Sequence, residues 1–337
     1  MQTMSVIETL KDKIRGKNLR IIFPEGTDKR LPAVVEYLLK ESLAKPIVLF
    51  ADADSLNSSQ YPPGTECLCT DDEALNEAWV GRYLNAGFDV SEKRLHRHFK
   101  NPLDAASIMI AAGGAEAMVG GLTCATSDVI MSGLTYIGLQ EGISLPSSIF
   151  LMRIPGFAGS EGELMVFADC GVNPSPDSTE LAQIGINSAQ TANELLGWQA
   201  RMAFLSFSTD GSAEHEAVNK VQEAVAQAQT LAAEKYPAMK IDGEFQLDAA
   251  ISADVAAAKV KRASEVAGKA NILIFPDLNA GNIAYKAAQR FAGADAYGPF
   301  LQGFRASISD LSRGSSVEDV IGVSVMALAR AVGRAAQ

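Results

Sequence analysis

The chain has 337 residues, a formal net charge of −11, and 47% hydrophobic and 20% charged residues. That length suits about two domains, and the composition excludes a disordered, collagen-like or coiled-coil chain. The acidic balance argues against a nucleic-acid or anionic-membrane partner, because phosphate backbones are bound by concentrated basic surfaces.

The first twenty residues place Glu8, Lys11, Asp12, Lys13 and Arg15 at helical spacing and lack the apolar core of a signal peptide. No apolar run approaches the roughly 20 residues of a membrane helix, so a cytoplasmic location is expected. From there short apolar runs alternate with amphipathic stretches, the pattern of strands interleaved with helices in an α/β fold with largely parallel sheets. Strands are predicted at Leu19–Phe23, Pro46–Phe50, Ala117–Gly120, Ser148–Ile154, Leu164–Ala168, Ala200–Ser206 and Asn271–Phe275. Helices are predicted at Lys29–Leu43, Asp71–Asn85, Pro102–Ala112, Ser178–Leu196, Ala213–Lys235, Gly281–Ala292 and Val317–Ala335. The proline and glycines of Pro155–Gly162 mark a hairpin loop between two strands. No internal repeat or low-complexity tract is visible.

Several reaction classes lose weight at once, since the chain contains no Walker GxxxxGK(S/T), no GxGxxG opening a helix, no GxSxG elbow and no HExxH. Cys67, Cys69, Cys124 and Cys170 are too scattered for a disulfide framework and lack the paired spacing of a zinc site. His96 and His98 lie in the basic stretch Lys93–Lys100, which reads as a solvated face. No metal is expected.

Three segments remain. Asp310-Leu-Ser-Arg-Gly-Ser-Ser-Val-Glu-Asp319 leads into the C-terminal helix. It reads as a capping box, with Ser315 or Ser316 as the cap and Glu318 or Asp319 reaching back. It also sets Arg313 beside a helix N-terminus, where free N–H groups favour an anion, so that Ser312, Arg313 and Asp319 could converge on a phosphate-bearing substrate. Leu205-Ser-Phe-Ser-Thr-Asp-Gly-Ser212 follows a predicted strand, the place where α/β sheets bind ligands, and also reads as a hydroxyl-rich turn. Phe275-Pro-Asp-Leu-Asn-Ala-Gly-Asn282 is again strand, turn and helix, followed by Arg290, a residue type that forks two hydrogen bonds to phosphate but is more often a surface residue when alone on a helix.

In these segments the chain resembles the phosphate acetyltransferase (phosphotransacetylase) family, over almost its whole length. Matching stretches include Ile22–Gly26, Val166–Asp169, Leu205–Ser212, Ile241–Glu244 with Asp248, Gly268–Asn271, Phe275–Lys286, Gly298-Pro299, Gln302-Gly303 and Asp310–Asp319. The resemblance implies reversible acetyl transfer between acetyl phosphate and coenzyme A (CoA), giving acetyl-CoA and inorganic phosphate. CoA is then a substrate, and no cofactor is expected. It implies two α/β/α domains with mainly parallel sheets and a cleft between them, the first made of residues 1–142 and 298–337 and the second of residues 143–297, and a homodimer formed largely through the second.

Carried over by position, the catalytic residues are Ser312, Arg313 and Asp319. The substrate-binding residues are Arg290, Arg82, Thr126, Ser127, Ser208, Thr209, Gly211, Ser212, Asn279 and Gln302. Asp319 would accept the CoA thiol proton, Ser312 would orient the reacting groups and Arg313 would stabilise developing charge. A carboxylate near pKa 4 is a weak base for a thiol near 8.5, so either burial raises Asp319 or Asp319 mainly positions. Two departures stand out: Met131 occupies the place of a family arginine, and Ser315 that of a cysteine found in some relatives. Met131 keeps open a longer acyl phosphate such as butyryl phosphate as substrate, and the alternative from another class is a non-catalytic acyl-CoA-sensing module.

Overall fold

The computed structural model describes residues 6–336, and they form two compact units. The chain builds most of the first unit, passes through the whole of the second at Glu141–Gly303, and returns to the first from Phe304 onward.

The first unit contains α1 (Val6–Ile14), β1 (Arg20–Phe23), α2 (Leu31–Lys40), β2 (Lys45–Phe50), α3 (Ala53–Ser58), β3 (Glu66–Cys69), α4 (Glu73–Asn85), α5 (Glu92–Phe99), α6 (Pro102–Ala111), β4 (Ala117–Gly120) and α7 (Thr126–Tyr136). The second unit runs β5 (Ser147–Arg153), β6 (Leu164–Ala168), α8 (Ser178–Leu196), β7 (Arg201–Leu205), α9 (Glu216–Lys235), β8 (Lys240–Phe245), α10 (Leu247–Ile251), α11 (Ala253–Lys259), β9 (Ile272–Ile274), α12 (Leu278–Ala292) and β10 (Asp295–Gln302). The returning chain adds β11 (Ser307–Asp310) and α13 (Val317–Ala335) to the first unit.

The first sheet has the order β11-β4-β1-β2-β3 and is parallel throughout. Strands covered on both faces tend to be apolar along most of their length. Ile21, Ile22 and Phe23 of β1 are accordingly fully buried, as is the stretch from Val320 through Arg330 apart from intermediate Ile321 on α13. The second sheet, β10-β5-β6-β9-β7-β8, is mixed. Its β6, β9, β7 and β8 run parallel, whereas β5 pairs antiparallel with both β6 and β10. The predicted hairpin is the β5–β6 connection, closed by paired backbone bonds between Gly159 and Gly162. The core on one side of this sheet gathers Phe150, Met152, Phe167, Phe245 and Phe275, with Tyr285 stacked on Phe150 at a centroid distance of 4.3 Å.

Helix limits follow local chemistry. Asp177 and Glu180 form a reciprocal capping box at the start of α8, and Gly197 at φ 71° ends it in the left-handed conformation that glycine adopts without strain. The basic stretch expected to be a solvated surface is the short helix α5, whose Leu95 and Phe99 are buried while its charged residues face outward or pair. His96 Nδ1 meets Asn76 Oδ1 at 2.8 Å and His98 Nδ1 meets Asp104 at 3.1 Å. All four cysteines are free thiols. Among the described residues no helix is long and apolar enough to cross a membrane.

Residues 141–142 and 298–303, expected with the chain ends, group instead with the second unit. Residues 298–302 are part of β10, which pairs with β5 at Phe300–Ile149, Leu301–Ser148 and Gln302–Ser147, past a register shift at Gly298-Pro299.

Candidate active site

β11 ends at Asp310, and the chain turns through Leu311–Ser316 into α13. The turn is closed by Ser315 N–H donating to Ser312 O at 2.9 Å and by Gly314 N–H donating to Ser312 Oγ at 3.3 Å. Of the caps open to the sequence, the structure selects Ser316 with Asp319. The Asp319 N–H donates to Ser316 Oγ at 3.1 Å, and the Ser316 N–H donates to Asp319 Oδ2 at 2.8 Å. This satisfies two groups that a helix start otherwise leaves orphaned. Ser312, Arg313 and Asp319 are all exposed, within eight residues of one another and beside the helix N-terminus. The burial weighed for Asp319 is not found in this unit: the side chain is exposed.

Arg30, which the sequence reading did not single out, holds this turn. Its Nη1 donates to the carbonyls of Arg313 (3.0 Å) and Ser315 (2.8 Å), and its Nη2 to that of Leu122 (2.9 Å). Nε and Nη2 also fork onto the two oxygens of Asp28, at 2.9 and 2.7 Å, and hold that carboxyl below its ordinary pKa. All the donor positions of one planar guanidinium are thus directed at groups in three loops, a geometry only arginine supplies. Glu25 does the same from the acceptor side: its carboxylate takes the N–H groups of Leu122, Thr123 and Cys124 at 2.6–3.0 Å and the Thr123 hydroxyl at 2.7 Å. Burial beside this carboxylate pushes the Cys124 thiol up to about 12, which leaves it unreactive. Both supports follow β1 in the matched Ile22–Gly26 stretch and just beyond it. Their sequence signal was a conspicuous charge pattern in a loop that otherwise reads as a turn.

Thr126 and Ser127 open α7, and Ser127 is exposed. Met131 lies on the same helix, 60% exposed. Arg82 is exposed on α4, with its guanidinium 4.3 Å from the Trp79 ring centroid and one bond to the Ala112 carbonyl. The first unit therefore presents two kinds of expected site residue: those on the supported turn, and an arginine on a helix face.

In the second unit the expectations divide. Arg290 and Asn279 are exposed on α12, and Gly211 and Ser212 are exposed at the loop after β7. Ser208 and Thr209 are buried. The Ser208 hydroxyl donates to Glu244 at 2.8 Å and accepts from Ala213 N–H, while Thr209 Oγ1 accepts from Gln246 N–H at 2.9 Å. Glu244 also takes the Gly211 N–H at 2.8 Å and the Gln222 amide at 2.9 Å, so its carboxylate is the anchor of this loop and Ser208 serves that anchor. Those hydrogen bonds outweigh burial and lower the Glu244 pKa. Gln302 is fully buried, with its amide nitrogen bonded to Ser147 and Ser188 at 2.8 and 2.9 Å. The Ser208 and Thr209 hydroxyls and the Gln302 amide nitrogen are engaged by internal partners, whereas Gln302 Oε1 is buried without one.

The phosphate acetyl/butaryl transferase family matches residues 5–328. The chain is 38% identical over 325 residues to the phosphate acetyltransferase of Thermoanaerobacterium thermosaccharolyticum, covering 95% of this chain and 97% of that one. It is 39% identical over 339 residues to the phosphate acetyltransferase of Clostridium acetobutylicum, covering 97% and 99%. Among solved structures, a phosphotransacetylase from Streptococcus pyogenes superposes with a TM-score of 0.85 at 35% identity, over 98% of this chain and 99% of that one. One from Staphylococcus aureus does so with a TM-score of 0.83 at 37% identity, over 97% and 98%. Full-length agreement in sequence and in fold places the chain in the phosphate acetyl/butaryl transferase family.

Proposed function

We propose that the chain is a phosphate acetyltransferase, which moves an acetyl group reversibly between acetyl phosphate and CoA. The observation that carries this reading is the turn before α13: a serine, an arginine and an aspartate are exposed together there, on a backbone fixed by Arg30 and by the Ser316–Asp319 box. In the forward direction the CoA sulfur attacks the acetyl carbonyl carbon, a C–S bond forms, and the C–O bond to phosphate breaks with the electron pair leaving on phosphate oxygen. Asp319 takes the thiol proton or orients the thiol, Ser312 aligns the reacting groups, and Arg313 neutralises charge as it develops on the carbonyl or the departing phosphate. The attack is direct, with no acyl-enzyme. For the second unit the exposed Arg290, Asn279, Gly211 and Ser212 retain the substrate-binding role implied by the resemblance, as do Arg82, Thr126 and Ser127 in the first. No cofactor takes part, since CoA is consumed. The reaction also argues for a cytoplasmic setting, where CoA and its thioesters are made.

The direct test is formation of acetyl-CoA from acetyl phosphate and CoA by the pure protein, followed as thioester absorbance. Turnover is expected, and faster with acetyl than with butyryl phosphate. A folded protein that binds CoA without turning over any acyl phosphate would sink the reading.

We also propose a homodimer formed through the second unit. Its support is a set of large apolar side chains left in the open on that unit: Phe291 at 90% and Ile283 at 66% exposure on α12, with Phe207 and Leu247. Side chains of this size seldom stand this exposed on a monomer surface without a partner. Sedimentation is expected to give a dimer for the wild type and a monomer for the double variant Ile283→Glu/Phe291→Glu. A dimeric variant would exclude this face.

A further inference from the structure

The last residue of β11 carries a carboxyl group that the acetyl-transfer chemistry described above does not use. Asp310 is 1% exposed and stands two residues before Ser312. Its Oδ2 accepts the hydroxyl of Thr126, at the start of α7, at 2.5 Å. Its Oδ1 is buried with no hydrogen-bond partner. That oxygen is pressed against Gly121, where a Cβ would stand 2.0 Å from it, and Gly121 is further reserved for glycine by a φ of +90°. A buried carboxyl with one oxygen bonded and the other bare is costly, so its retention calls for a role beyond packing.

We propose that Asp310 is a positioning residue for the transfer: by accepting the Thr126 hydroxyl it ties the start of α7, with Thr126 and Ser127, to the turn that carries Ser312 and Arg313. The proposal rests on the acetyl-transfer reading and deepens it. Thr126 and Ser312 belong to segments far apart in sequence, and this bond is a direct side-chain link between them. The tie responds to protonation. A hydroxyl bond to a carboxylate is about twice as strong as one to a neutral acid, so the link is firm when Asp310 is ionised and slack when it is protonated. Burial pushes this carboxyl up to about 6, with the Thr126 bond and the nearby Leu311 N–H opposing and the charge of Glu25 adding. The titratable groups that face it are Glu25, on the loop after β1, and Cys124, on the loop before α7. Cys124 stays neutral over the working range, which leaves Glu25 as the neighbouring charge.

The test is kcat and KM for acetyl phosphate between pH 5 and 9 in the wild type, Asp310→Asn, Thr126→Val and the double variant, with thermal melting to verify folding. The wild type is expected to lose rate as pH falls through about 6, because protonation slackens the tie. Asp310→Asn is expected to lack that acid limb and to run about tenfold slower at pH 8, the factor that corresponds to one charge-assisted bond. Thr126→Val is expected to lose a similar factor, and the double variant no more than the worse single one, since both remove the same bond. A folded Asp310→Asn with the wild-type rate and an unchanged acid limb would overturn the proposal, as would strictly multiplicative losses in the double variant. If Asp310→Asn does not fold, Thr126→Val decides alone: wild-type kcat at pH 8 would overturn the tie. An inactive wild type would instead strike the acetyl-transfer reading itself.

Discussion

Arg313→Ala is expected to lower kcat by about 10²- to 10³-fold, the usual loss when one preorganised donor to developing negative charge is removed. The structure makes this a clean experiment. The turn is fixed through the Arg313 carbonyl, which Arg30 holds at 3.0 Å, and the exposed guanidinium side chain is a separate part of the same residue. Truncation at Cβ leaves the backbone bond in place, so stability is expected to stay within about 0.5 kcal/mol of the wild type, as for surface substitutions generally. Arg313→Lys is expected to recover only part of the rate. A single ammonium provides charge but not the planar fork that spans two oxygens of a phosphate. A fully active Arg313→Ala protein would remove this arginine from the chemistry.

Asp319→Asn separates two duties of one side chain, the cap that the structure shows and the base that we propose. Asp319 is the N3 residue of a capping box and also the candidate proton acceptor. An asparagine carbonyl still accepts the Ser316 N–H, so the helix start survives and the melting temperature is expected to stay near that of the wild type. General-base catalysis is lost, and a fall in kcat of about 10²- to 10⁴-fold at pH 7 is expected. The deficit then narrows as pH rises. A free thiol has a pKa of about 8.5, so the share of CoA already present as thiolate grows about tenfold per pH unit below that value and replaces the missing base. A variant as fast as the wild type at pH 7 would reduce Asp319 to a cap, and a large deficit that stays constant up to pH 9 would assign it to orientation rather than proton removal.

What the sequence disclosed and what it concealed divide along physical lines. The doubly covered strands β1, β2, β4, β6, β7 and β9 are apolar runs and were legible, as were α8 and α13, whose capping boxes mark their starts. β3, a half-buried edge strand, escaped, and the other three that did are those whose polar residues have work to do inside the fold or whose run is interrupted. β8 reads Lys-Ile-Asp-Gly-Glu-Phe, poor in strand formers, because Asp242 takes a two-pronged bond from Arg262 and Glu244 anchors the loop after β7. β11 reads Ser-Ile-Ser-Asp and is nevertheless fully buried, with Ser307 bonded to the Ala327 carbonyl. β10 is interrupted by Gly298-Pro299, where its register shifts. The same logic governs the site. Ser312, Arg313 and Asp319 were visible because they sit in a compact local motif. Arg30 and Glu25 support that motif from segments distant in sequence, and a single charged residue in a loop gives no hint of which backbone groups it will reach. Ser208 and Gln302 are the converse case, polar residues at plausible positions whose hydroxyl and amide nitrogen find internal partners.

The return of the chain to its first unit also sets an order of events during synthesis. β4 pairs on one side with β1 and on the other with β11, and β11 follows the entire second unit in the chain. While the ribosome is producing Glu141–Gly303, the first sheet has an unpaired edge at β4 and lacks the helix α13 that packs on it, whereas the second unit draws all its strands from its own segment. Unpaired edges recruit other strands. The nascent first unit is therefore at its most aggregation-prone just before its last segment emerges, and that segment is also the one that bears Ser312, Arg313 and Asp319. Protection of the edge and assembly of the reactive turn are completed by the same stretch of chain, so a polypeptide released early is both sticky and inert.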